Sequence, residues 1–141
     1  MLFRSSGAQP LEAVVADSVT DAPDVNAVAT HKDREVDVFV WNYHDDDIAS
    51  EPAQVRLSVA NLPAKRVRAE IFRVDGDHSN SFTAWKKMGS PQKPTPAEQK
   101  RLEESGSPEH ASLETLAMTD ATATLNFPLS RQGVYLVRLK W

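Results

Sequence analysis

The fold class the sequence predicts is all-β: an antiparallel β-sandwich of about eight strands, with a long loop insertion carrying one or two short helices. Three observations predict it. Most apolar residues sit in short runs that alternate, or nearly alternate, with polar ones. The runs are bounded by Pro, Gly, Asn and Asp, residues that suit turns. One connection, about residues 75–110, is too long for a plain turn, and such connections are usually functional or structured in themselves. At 141 residues the chain fits one domain, 1–141, with 1–7 flexible. Folding at that size buries roughly two-thirds of the unfolded surface, so no disulfide or metal staple is needed.

Taken in order, the predicted strands are Leu11 to Val15, Val25 to Thr30, Val36 to Tyr43, Val55 to Ala60, Arg66 to Arg73, Leu113 to Ala117, Ala121 to Phe127 and Val134 to Lys140. In Val55-Arg56-Leu57-Ser58-Val59 and Val67-Arg68-Ala69-Glu70-Ile71 the odd positions are apolar and the even ones polar, which gives each strand one buried and one wet face. Val36 to Trp41 differs: apart from Asp37 it is apolar on both faces, as expected of a central strand covered on both sides or bordering another domain. The last strand, Val134 to Lys140, is nearly as apolar and reads as a closing central strand. Within the insertion, Thr95-Pro96-Ala97-Glu98 matches a capping box with Pro at the first helical position, good helix formers follow to Glu104, and Gly106 stops them. A second short helix is predicted from Ser81 to Met88, where Phe82, Trp85 and Met88 recur every three residues ahead of Gly89-Ser90-Pro91.

Composition excludes several functions. There are 0 Cys, hence no disulfide, thiolate metal site or Cys nucleophile. Lys+Arg 16 against Asp+Glu 20 gives a net charge of -4, with no basic run dense enough to neutralise a row of phosphates, so nucleic acid is not expected as a partner. No apolar stretch is long enough to span a bilayer, so no membrane partner is expected. Met1 to Ser6 lacks the apolar run of a signal peptide, which leaves localisation open between cytoplasm and periplasm. No cofactor is implied.

Three stretches resemble, in order and spacing, the C-terminal region of the glycoside hydrolase family 39 β-xylosidases. They are Val38 to Asp47 (Val-Phe-Val-Trp-Asn-Tyr-His-Asp-Asp-Asp), His78 to Gln92 followed by Pro94-Thr95-Pro96, and Pro128-Leu129-Ser130-Arg131-Gln132-Gly133-Val134. Ala22-Pro23-Asp24-Val25 also fits, so the similarity covers the chain from about residue 7. The resemblance implies a (β/α)₈ barrel carrying the active site, followed by a β-sandwich, and only the sandwich is matched here. Retaining glycosidases work with two carboxylates about 5 Å apart at the barrel's C-terminal face. No position of this chain matches the motifs that carry those glutamates, so no catalytic residue is transferred and the chain is expected to be inactive alone. The implied partners are the catalytic barrel, xylo-oligosaccharide and a second copy in a homo-oligomer.

Three groups of residues are candidates for binding or interdomain contact. His78, Ser79 and Asn80 with Trp85 form a polar, aromatic segment suited to docking, or else an Asx- or Ser-capped turn with Ser81 as N-cap and Trp85 in the core. Trp41, Tyr43 and His44 resemble a carbohydrate platform, though packing against the core or the barrel is the preferred reading of the aromatics. Asp45, Asp46 and Asp47 are weak metal candidates, because carboxylates suit hard cations, while a solvated turn explains the run as well. A Ser-His-Asp triad from His78, Ser79 and an aspartate lacks the nucleophile elbow G-x-S-x-G. An accessory domain predicts a bare apolar patch and an open sheet edge; a carbohydrate-binding module predicts solvent-facing aromatics in a row or cleft.

Overall fold

The computed structural model describes residues 9–14, 25–45, 48 and 50–141, apart from the side chains of 111–114. The predicted flexible start, Val15 and the Ala22-Pro23-Asp24 stretch lie outside them; of the first predicted strand, Leu11 to Val15, only Leu11 is in a strand, which instead runs Gln9–Leu11, and residues 12–14 are not extended into it. Eight strands and two helices succeed one another: β1 Gln9–Leu11, β2 Val25–Lys32, β3 Glu35–Asn42, β4 Ala53–Val59, β5 Arg66–Val74, α1 Ser81–Lys87, α2 Pro96–Ser105, β6 Glu109–Ala117, β7 Ala123–Leu129 and β8 Gly133–Lys140. A six-stranded antiparallel sheet, in the order β1-β2-β3-β8-β5-β6, packs against a two-stranded sheet, β4-β7. The all-β sandwich is therefore the observed fold, and the two strands that read as central, β3 and β8, lie side by side in the middle of the larger sheet.

Alternation along each strand decides what is buried. Val36, Val38 and Val40 of β3, Val67, Ala69 and Ile71 of β5, and Tyr135, Val137 and Leu139 of β8 point inward and meet Leu125, Phe127 and Leu129 of β7. Phe127 and Tyr135 stack across the gap between the sheets, with ring centroids 5.7 Å apart. Each fully buried aliphatic or aromatic side chain contributes about 1.5–3 kcal/mol to holding the layers together. The smaller sheet is unequal: the inward residues of β7 are buried, whereas Val55, Leu57 and Val59 of β4 are half-buried. Among the described residues β4 pairs with β7 alone, and none of them pairs with its other edge.

One tight turn and one helical pair fix the ends of the large sheet. At the entry to β8 the chain reverses through Ser130, Arg131 and Gln132, with Gln132 at φ 56° and the Gly133 amide donating to the Ser130 carbonyl at 2.9 Å. A Cβ on Gly133 would lie 2.6 Å from that carbonyl oxygen, so only glycine fits without a backbone shift. In the insertion, α2 begins with the expected reciprocal capping box: Thr95 accepts from the Glu98 amide while Glu98 accepts from the Thr95 amide. Helix α1 packs on α2 through the Ser81 hydroxyl, which donates to the Leu102 carbonyl at 2.7 Å.

Candidate functional site

The face of the large sheet that points away from β4 and β7 carries an unusual pattern. Register aligns its outward residues in four rows running across the strands. Lys32, Glu35, Lys140 and Arg68 form the first, and Thr30, Asp37, Arg138 and Glu70 the second. Val28, Phe39, Leu136, Phe72 and His110 form the third, and Asn26, Trp41, Val134 and Val74 the fourth. One half of the face is thus ionic and the other apolar.

The ionic half pairs its carboxylates internally. Arg138 grips Asp37 through two parallel bonds, Nε to Oδ1 at 2.8 Å and Nη2 to Oδ2 at 3.0 Å, and Lys140 lies 3.5 Å from Glu35 and 3.4 Å from Glu70. The hydrogen bonds to Asp37 raise the Arg138 guanidinium above its ordinary pKa, with partial burial opposing them. The apolar half is only partly covered. Leu136 is shielded by its neighbours, and the Phe72 ring packs on that of His110 at 4.9 Å. Val28 and Val74, however, are each 42% exposed.

Beyond the end of β3 the apolar rows continue into Tyr43, which is 61% exposed. Trp41 is half-buried beside Phe39, ring centroids 6.3 Å apart. Val28, Phe39, Trp41, Tyr43, Gly133 and Val134 line a depression of about 460 Å³. Its polar neighbours are already engaged. Asn42 points inward, donates to the Leu129 carbonyl at 3.2 Å and bonds the His44 ring at 2.8 Å. Gln132 donates to the His44 carbonyl and accepts from the His44 amide, pinning the end of β3 to the β8 turn. Of the acidic run, Asp45 is exposed, whereas Asp46 and Asp47 lie outside the described residues.

On the other side of β8, the chain leaves β5 through a loop organised by Asp75, whose side chain is buried. Its Oδ1 accepts from the amides of Asp77 and His78, both at 2.9 Å, and bonds His78 Nδ1 at 2.7 Å. Its Oδ2 accepts from the Tyr135 hydroxyl at 3.1 Å. Burial alone would push this carboxyl up; the amides of Asp77 and His78, together with the His78 ring, more than offset it and hold Asp75 below the usual carboxylate value. Burial, and then the Asp75 charge, raise Tyr135 above a free tyrosine.

The predicted loop residues serve this scaffold. Asn80 donates to the Asp75 carbonyl at 2.8 Å and accepts from the Thr83 amide, so Asn80 is the N-cap of α1 where sequence pointed to Ser81. Ser79 sits at φ 51°, a conformation that costs a non-glycine residue of order 1 kcal/mol, and its hydroxyl accepts from the Glu109 amide at 2.7 Å. A His–Asp pair therefore exists, but the serine beside it is bound to backbone. Trp85 is half-buried: it donates to the Pro91 carbonyl at 3.0 Å and stacks on Phe82, over which Lys86 places its ammonium 4.4 Å from the centroid. The Trp41–His44 group and the His78–Trp85 group thus emerge at the same end of the large sheet, flanking the entry to β8. Asp75 was not singled out from sequence, because its role depends on Tyr135, 60 residues away.

No protein-family model matches this chain, and no curated protein matches it. Solved structures do. A family 39 glycoside hydrolase from Xanthomonas axonopodis pv. citri superposes with a TM-score of 0.72 at 16% identity, covering 81% of this chain and 25% of that one. A monomeric β-xylosidase from Caulobacter crescentus CB15 gives 0.72 at 17% identity over 84% of this chain and 26% of that one. A family 39 β-xylosidase from Caulobacter crescentus gives 0.60 at 19% identity over 86% and 23%. The fold is shared, and the enzymes that share it include members of the family whose motifs the sequence resembles. This chain spans about a quarter of the length of the chains it matches.

Proposed function

We propose that this chain is the accessory β-sandwich of a β-xylosidase, that it docks on and supports the catalytic (β/α)₈ barrel, and that it does not hydrolyse glycosides by itself. The observation that carries this reading is the apolar half of the outer sheet face. A sheet side that faces only water ordinarily alternates polar residues outward, yet here two rows that are aromatic and aliphatic apart from Asn26 and His110 at their ends point away from the core. A covering layer explains them. The half-buried inward side of β4, and its edge with which no described residue pairs, fit the same reading, since a further strand from a parent chain would complete the smaller sheet.

Two assays and one sequence test it. Purified chain should show no turnover of a chromogenic xyloside above background, and turnover would overturn the reading. The coding sequence upstream of Leu2 should carry a barrel in frame; an unrelated neighbour, or none, would contradict it. The exposed Tyr43 beside Trp41 favours a second reading, a module binding xylo-oligosaccharides. Calorimetry separates the two: heat with xylo-oligosaccharide at millimolar ligand supports the module, and its absence supports the docking domain.

A further inference from the structure

Resting on the docking reading, the geometry points to one anchor within that face: the depression between Val28, Phe39, Trp41, Tyr43 and Val134 receives a single large apolar side chain from an amphipathic helix of the catalytic part of the parent enzyme. Its walls come from β2, β3 and β8, and Gly133 contributes no side chain to fill it. Toward β5 and β6 the third row is closed by its own residues, with Leu136 buried and Phe72 packed on His110, while Val74 of the fourth row is exposed but lines no depression with them. The open volume therefore lies at the Trp41 end.

The chemistry of the walls selects the occupant. Asn42 and Gln132, the polar residues of the lining, already hold Leu129 and His44. A sugar entering here would bring hydroxyls that lose water and gain few partners, a cost of about 1–3 kcal/mol for each one left unmet, whereas an aliphatic or aromatic group has no such cost. The neighbouring charges are paired with one another, so the partner needs no complementary charge at this point. A sheet face has no free backbone groups to offer, which suits a helix, whose own backbone is satisfied internally. Matching solved chains keep about three-quarters of their length outside the shared fold, ample to supply that helix.

The test uses isotope-labelled chain and a charge-neutral 18-residue helical peptide with a leucine stripe, with binding read by NMR. Shifts should centre on Val28, Trp41, Tyr43 and Val134. Trp41→Ala, and a peptide whose central leucine is replaced by alanine, should each weaken binding at least tenfold, while Val74→Asp at the far end of the row should leave it within twofold. Backbone spectra of the variants confirm that they fold. If Val74→Asp weakens binding as much as Trp41→Ala, the contact is spread over the face, and the anchor is wrong while docking stands. If the peptide fails to bind at millimolar concentration, or xylotriose displaces it, both readings fall.

Discussion

Replacing Asp75 by alanine should cost about 2–4 kcal/mol of stability, and the structure says why the figure is neither smaller nor larger. The carboxylate gathers four donors, from the Asp77 and His78 amides, the His78 ring and the Tyr135 hydroxyl. Hydrogen bonds to a charged acceptor are worth about 1.5–3 kcal/mol each in mutational data, but they are not additive. The amides and the His78 ring, whose side chain is 30% exposed, can turn to water when the acceptor goes. Tyr135 is buried at 4% exposure and cannot. Asp75→Asn keeps an oxygen for the three donors on Oδ1 but sets an NH2 group against the Tyr135 hydroxyl in place of Oδ2, so it loses the charge and that bond and should cost about 1–3 kcal/mol. The cost must also depend on pH. Because the folded pKa lies below the unfolded value of about 3.9, the unfolded chain takes up the proton first. The contribution is therefore complete above about pH 5 and disappears as pH falls through the folded value. Urea unfolding monitored by tryptophan fluorescence, at pH 7 and at steps down to pH 3, measures both effects. The difference between wild type and Asp75→Asn should shrink toward the acid end. An Asp75→Ala variant within about 0.5 kcal/mol of wild type, or a difference that ignores pH, would refute the role assigned to this carboxylate.

Packing and capping give two further outcomes. Leu129→Ala empties a fully buried position between the sheets and should cost about 2–5 kcal/mol in the same urea experiment; a loss under 1 kcal/mol would mean that β7 does not seal the core as described. Thr95→Ala removes the side-chain half of the α2 capping box and should cost about 1 kcal/mol, with Thr95→Ser restoring most of it. Amide exchange in the first turn of α2 reports that change directly, and equal protection in both variants would argue against the cap.

Much of the architecture was legible because alternation is a local signal. Phe39 and Trp41 on one side of β3, with Val38 and Val40 on the other, mark a strand apolar on both faces, and the structure places it in the middle of the large sheet. The α2 capping box is written within four consecutive residues and was read without loss. What escaped was long-range. Arg138 and Asp37 stand 101 residues apart, and nothing in either strand shows that they will share a row. The division of the outer face into ionic and apolar halves arises from register between β2, β3, β8 and β5, which single-strand patterns do not encode. Asp75 was missed for the same reason. The N-cap of α1 was misplaced by one residue because Asn80 and Ser81 are both good caps, and the choice depends on the bond from Asn80 to the Asp75 carbonyl.

The central claim, that the outer sheet face is built to be covered, is tested most directly by sedimentation velocity on the purified chain beside a Phe39→Asp/Val134→Asp variant. Bare apolar rows should make the wild type self-associate as concentration rises, and the charged pair should return it to a monomer with the same circular dichroism. A wild type that stays strictly monomeric across that range, indistinguishable from the variant, would contradict the account.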